Sequence, residues 1–122
     1  MLGEHPFLRG LSPDAVEAVA GCASNVRFAE GDALFAAGDA ADRVYLIRHG
    51  TVELDTGRTL GPGDVAGWPW LLHPYRWPFG ARAATLVRAT ALEGACLRVR
   101  CEYDERLGYH LMARFAQSLF ER

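Results

Sequence analysis

The chain has 122 residues, half of them hydrophobic, which sets a single domain with enough apolar mass for a core held by packing alone. Thirteen Lys and Arg against fifteen Asp and Glu leave a net charge of −2, which excludes the broad basic face of a non-specific nucleic-acid binder, though one local arginine can still hold an acidic ligand. No stretch approaches the roughly twenty apolar residues of a membrane span, and the start, Met1 to Phe7, lacks the basic and apolar regions of a signal peptide.

The first predicted element is a short helix. Ser12 suits the N-cap, Pro13 the first helical position and Asp14 the positive end of the dipole. Leu11 and Val16 are spaced for a hydrophobic staple. Val16, Val19 and Ala20 form the expected inward stripe, with Gly21 near the helix end.

The period then falls to two. Val26 and Phe28 alternate with Asn25 and Arg27, as in a half-buried strand. A short repeat follows, Phe28-Ala29-Glu30-Gly31-Asp32 and then Phe35-Ala36-Ala37-Gly38-Asp39, each Gly-Asp marking a turn. Strands are expected over Val44 to Arg48 and Thr51 to Asp55, joined as a hairpin through His49-Gly50, with a third turn at Gly61-Pro62-Gly63-Asp64. Short strands at regular spacing with Gly turns point to an antiparallel roll or barrel.

Between Gly67 and Gly80 lie three Trp, one Tyr, one Phe and three Pro, a composition unlike a regular strand or a long helix. Alternation resumes over Arg82 to Ala89 and again to Val99. From about Tyr103 the pattern is helical: Leu107, Leu111, Phe115 and Leu119 recur every fourth residue, with Met112, Ala116 and Phe120 alongside. The three cysteines, Cys22, Cys96 and Cys101, are odd in number and lack metal-ligand spacing, so they read as free structural thiols of a reduced, cytoplasmic protein. A redox sensor is the alternative, since Arg98 and Arg100 would depress the pKa of a neighbouring exposed thiol.

In order, Phe28-x-x-Gly31-Asp32, Phe35-x-x-Gly38-Asp39, Tyr45 through Leu54, Gly61-Pro62-Gly63-Asp64-Val65-x-Gly67 and Ala81-Arg82-Ala83-Ala84-Thr85 resemble the cyclic-nucleotide-binding domain family, which includes the sensor halves of bacterial catabolite-activator-like regulators. The resemblance covers nearly the whole chain. It implies an α+β domain over residues 1–122: an eight-stranded antiparallel β-roll, jelly-roll-like, with flanking N- and C-terminal helices. In that family a cassette of Phe-Gly-Glu, a short helix and Pro-Arg-x-Ala-Thr binds the cyclic phosphate. The glycine lets backbone amides approach the anion, the arginine neutralises it, and the glutamate accepts the ribose hydroxyl.

The resemblance places Gly67, Trp68, Arg82 and Ala83 at the ligand site. Gly67 and Arg82 match the motif, and Ala83, Ala84 and Thr85 follow as expected. Trp68 stands where the glutamate belongs; indole is a donor only and far larger than a carboxylate. The segment from Trp68 to Arg82 is also longer than the cassette. Three readings stay open: a pocket rebuilt for another small anion, a pocket filled by its own aromatic rings, and retained binding of cAMP or cGMP. The expected arrangement turns Trp68 inward near Arg82, with Tyr75 and Trp77 closing the mouth and Arg76 a solvated loop residue.

Arg48-His49-Gly50 also resembles the phosphohistidine motif of histidine phosphatases, which supplies the enzyme alternative. No second histidine stands in a comparable setting, because His73 precedes Pro74 and His110 falls on the terminal helix. No histidine cluster suits a metal. The sequence thus reads as a non-catalytic cytoplasmic sensor or regulatory module without cofactor. No helix-turn-helix is seen in the 122 residues, so the chain is not expected to bind nucleic acid by itself, and without a spanning apolar stretch it is not expected at a membrane. The partners expected are a small anionic ligand, a regulated protein, and a second copy docked through the C-terminal helix, whose apolar stripe is wide enough to serve its own roll and a twin.

Overall fold

The computed structural model describes residues 5–66 and 76–120, with side chains described up to residue 117. A single helical turn, Pro6–Leu8, leads to α1 (Pro13–Ala20). Eight described strands follow: β1 (Ala23–Phe28), β2 (Ala33–Phe35), β3 (Arg43–His49), β4 (Val52–Leu54), β5 (Thr59–Leu60), β6 (Val65–Ala66), β7 (Ala81–Ala83) and β8 (Val87–Glu93). Two helices complete the fold, α2 (Gly94–Tyr103) and α3 (Glu105–Phe120).

The strands form two four-stranded antiparallel sheets, ordered β1-β8-β3-β6 and β2-β7-β4-β5. One apolar cluster fills the roll between them, with Phe35, Tyr45, Ile47, Val52, Trp77 and Val87 among its members. A second lies between the outer face of the first sheet and the helices, joining Val44, Leu46 and Leu92 to Leu8, Val19, Leu97, Leu107, Leu111 and Phe115. The fold is the expected roll with flanking helices.

The Gly-Asp repeat is a repeated corner. In each copy the glycine has positive φ: 91° at Gly31, 89° at Gly38 and 92° at Gly63. The following aspartate closes the turn twice. Its N–H donates to the carbonyl three residues back, and its carboxylate accepts from that residue's N–H, at 2.9 Å for Ala29 and Asp32, 3.0 Å for Ala36 and Asp39, and 2.8 Å for Gly61 and Asp64. A short acceptor and an unhindered glycine are what this geometry requires.

Three expectations of local structure are corrected. The His49-Gly50 turn is not a hairpin: β3 belongs to the first sheet and β4 to the second, so the turn carries the chain across the roll. On α1, Ser12 caps as expected, its hydroxyl accepting from the Ala15 N–H at 3.2 Å, but the buried stripe is Ala15 and Val19 while Ala20 is exposed. Alternation to Val99 is not strand: the ladder stops at Glu93 and residues 94–103 are helical. In that stretch Leu97, Val99 and Cys101 alternate with Arg98, Arg100 and Glu102, imitating period two. Only Leu97 of the three is fully buried, whereas Val99 is 50% exposed.

α2 and α3 meet at Asp104, whose N–H donates to the Arg100 carbonyl and whose carboxylate accepts from the N–H groups of Arg106 and Leu107, both at 3.1 Å. One residue thus ends one helix and caps the next. The N-terminal segment is clasped at both ends. Arg114 donates to the Phe7 carbonyl at 3.0 Å, and the rings of Phe7 and Phe115 lie 4.7 Å apart. His5 is buried; its Nδ1 accepts from the Phe7 N–H, so its Nε2–H donates to the Ile47 carbonyl at 3.0 Å.

The cysteines correct the thiol expectation. Cys22, between α1 and β1, and Cys96, in the first turn of α2, form a disulfide with Cα atoms 5.7 Å apart, across a sequence separation of 74. Cys101 alone is free. Burial pushes its pKa up, with Asp104 adding to the shift, which is opposite to the depressed thiol a redox sensor needs.

Candidate ligand-binding site

Arg82 is the middle residue of β7, paired with Ala33 of β2 on one side and Glu53 of β4 on the other. Its neighbours Ala81 and Ala83 are 4% and 1% exposed and face the interior cluster, so Arg82 projects from the opposite face and is exposed. Among the described residues its guanidinium has no hydrogen-bond or ion-pair partner. Ala83, expected at the ligand, contributes its methyl group to the core.

The backbone carrying Arg82 is held from two directions. The Ala83 N–H donates to the Asp32 carbonyl and the Ala83 carbonyl accepts from the Gly31 N–H, both at 2.8 Å. On the other side Ala84 N–H donates to the Thr51 carbonyl at 2.9 Å, and Thr51 N–H donates to Thr85 Oγ1 at 3.0 Å. Gly50 makes the second clasp feasible. It has φ 89°, and a Cβ there would overlap the Leu86 carbonyl oxygen and crowd Thr85 Oγ1. The Arg-x-Ala-Thr segment is therefore a rigid mount for one cation.

The aromatic segment is described only from residue 76. Gly67, Trp68, Trp70 and Tyr75 lie outside the described residues, and the expected inward turn of Trp68 lies there too. Trp77 does not close a mouth. It is 3% exposed inside the roll, its ring stacked on Phe35 at 3.6 Å with planes 8° apart. Phe79 packs beside it, and Phe35 and Phe28 flank Tyr45, whose hydroxyl pKa burial pushes up. Backbone bonds join Trp77 to the second Gly-Asp corner, from its N–H to Asp39 at 2.9 Å and from Gly38 N–H to its carbonyl at 2.8 Å. Arg76 is exposed, as expected of a loop arginine, and its Nη1 donates to the Gly38 carbonyl at 2.9 Å. Sequence reasoning missed this docking because an aromatic residue between prolines carries no sign of which surface it will bury.

The described residues do not support a phosphoryl-transfer centre at Arg48-His49-Gly50. Arg48 Nε donates to Thr90 Oγ1 at 2.6 Å, and His49 is exposed at the strand end opposite Arg88. Among the described residues no group of three or more His, Cys, Asp or Glu is placed to hold a metal, and no helix is long and apolar enough to cross a membrane.

Comparison with known proteins agrees with this geometry. The curated "CRP-like cAMP-activated global transcriptional regulator" of Mycobacterium tuberculosis is 29% identical over 107 residues, covering 80% of this chain. The chain spans about half, 48%, of that relative's length. Among solved structures, a candidate cyclic nucleotide-binding protein from Geobacter metallireducens GS-15 superposes with a TM-score of 0.89 at 29% identity, covering 95% of this chain and 90% of the other. The N-terminal domain of a transcriptional regulator from Streptomyces coelicolor A3(2) gives 0.75 at 26% identity, with coverages of 98% and 92%. The sequence model of the cyclic nucleotide-binding domain matches residues 25–104, from β1 to the joint between α2 and α3. With the roll, its corners and the arginine strand in the order that domain requires, the chain belongs to the cyclic nucleotide-binding domain family.

Proposed function

We propose that the chain is a non-catalytic regulatory module that senses a small anion through Arg82, with weakened or lost binding of cAMP and cGMP. The observation that carries this reading is the mount of Arg82: an exposed guanidinium without a described partner, on a strand fixed from both sides. Such a group meets a phosphate or carboxylate with two parallel donors and little loss of freedom on binding. Trp68 in place of an acceptor supports the loss of the ribose contact. A lost buried hydrogen bond to a sugar hydroxyl weakens binding by about 1–3 kcal/mol before any steric conflict. Calorimetry should therefore give dissociation constants above roughly 100 μM for cAMP and cGMP. Micromolar binding abolished by Arg82→Ala would overturn the altered-ligand reading while keeping the site.

The same reading includes a homodimer through α3, which we assign to the face of that helix left exposed by its own core. Leu107, Leu111 and Phe115 are 2%, 1% and 1% exposed against the chain's own core, so they are not available to a twin. The outer face presents Tyr109 at 72% and Met112 at 53% exposure. Sedimentation at about 100 μM should show a dimer that Met112→Glu dissociates without loss of fold; a wild-type monomer at that concentration refutes it.

A further inference from the structure

The first sheet carries a second cationic feature, on a different sheet from β7. Its helix-covered face runs through Ala23 on β1, Leu92 on β8, and Val44 and Leu46 on β3, all packed in the helix-side cluster. Period two continues that face beyond the helices to Asn25 and Arg27, to Thr90 and Arg88, and to Arg48. Arg27 and Arg88 are directly opposite in the antiparallel register, as are Asn25 and Thr90. These residues line one groove of about 700 Å³ beside the C-terminal end of α1.

Two features set this groove apart from an ordinary charged surface. Like charges directly opposite on neighbouring strands repel, yet among the described residues neither Arg27 nor Arg88 has an acidic partner. Arg48 adds a third cation, its Nε held at 2.6 Å by Thr90, a hydroxyl only 3% exposed. Three arginines thus line one groove in a chain whose net charge is negative. An occupant with several anionic oxygens relieves the repulsion and receives paired donors. The volume fits a small organic molecule, and Ala23 and Asn25 provide an apolar and a hydrogen-bonding wall for its body.

We infer that the groove bounded by Arg27, Arg48 and Arg88 is a binding site for a small molecule bearing two or more linked phosphates, separate from the site at Arg82. The test uses the full chain with inorganic pyrophosphate, ATP and orthophosphate as probes, read by calorimetry and thermal melting. Pyrophosphate and ATP should bind and raise the melting temperature, orthophosphate at least about tenfold more weakly because it bridges fewer cations. ATP binding tighter than pyrophosphate would show that the walls contact an organic body; equal binding would show that the bare anion suffices. Arg27→Ala and Arg88→Ala should each weaken both probes by roughly tenfold or more. They should also raise the melting temperature of the ligand-free protein, since each removes one of two opposed like charges. That second readout does not depend on the probe chosen. The inference is overturned if neither probe binds, if binding survives in both variants, if it is lost instead in Arg82→Ala, or if only a polyglutamate peptide binds.

Discussion

Gly50 and Gly57 share a backbone conformation but not an environment, and that contrast tests how the arginine strand is held. Both have positive φ, 89° and 91°, a region in which an L side chain costs about 1–2 kcal/mol. Around Gly57 no atom lies within 4 Å of an added Cβ, so Gly57→Ala should cost that backbone penalty alone. At Gly50 the Cβ would overlap the Leu86 carbonyl oxygen, a backbone atom that cannot turn aside as a side chain would. Relief requires the corner to move, and the Ala84 to Thr51 and Thr51 to Thr85 hydrogen bonds depend on that corner. Each is worth about 0.5–1.5 kcal/mol, so Gly50→Ala should exceed Gly57→Ala by about 1–3 kcal/mol. In urea, with a slope of about 1–3 kcal/mol per molar, the gap is on the order of 1 M in midpoint. Gly50→Ala should also weaken any anion held at Arg82, whereas Gly57→Ala should not. Equal midpoints for the two variants would refute the close approach of Thr85 and Leu86, just after β7, to this corner.

Other outcomes follow from the clasps. Burial lowers the His5 pKa, the backbone bond to Ile47 opposes the shift, and Arg48 adds to the lowering. The unfolded chain therefore takes up the proton first, so His5 contributes stability that is full above about pH 6.5 and lost as pH falls toward the folded-state value. Urea midpoints from pH 8 to 5.5 should fall more steeply in the wild type than in His5→Gln; parallel curves would dismiss the buried imidazole. The Cys22–Cys96 bond closes a loop of separation 74, for which the chain-entropy relation gives about 4 kcal/mol. Cys96→Ser should lose stability of that order, and thiol titration of the denatured wild type should count one free sulfhydryl before reduction and three after it. Leu111→Glu with Phe115→Glu should unfold the chain, because both side chains are in the helix-side core; a soluble folded monomer would show that α3 packs elsewhere.

What could be read from sequence divides by range. The Gly-Asp corners were legible because glycine and a short acceptor act within four residues, and the Ser12 cap was legible for the same reason. The Gly50 turn announced a change of direction but not that β4 would enter the other sheet, which tertiary pairing decides. Residues 94–103 misled because their charges alternate, although of the alternating Leu97, Val99 and Cys101 only Leu97 is fully buried. The stripe on α3 was plain, but a stripe does not name its partner, and here the chain's own core takes it. No spacing rule pairs three cysteines. At the site, the motif located Arg82 correctly on a strand, whereas the fate of Trp77 depended on a vacancy beside Phe35 that no local pattern records.

The joint at Asp104 takes on a mechanical meaning beside the disulfide. The Cys22–Cys96 bridge bolts the start of α2 to the α1–β1 junction, and β8 runs into α2 without a connecting loop. Roll, α1 and α2 are thereby one rigid frame, while α3 is attached to it through a single non-helical residue. A swing of α3 would pivot at Asp104, and it would have to break the Arg114 bond to Phe7 and expose Leu107, Leu111 and Phe115 from the helix-side core.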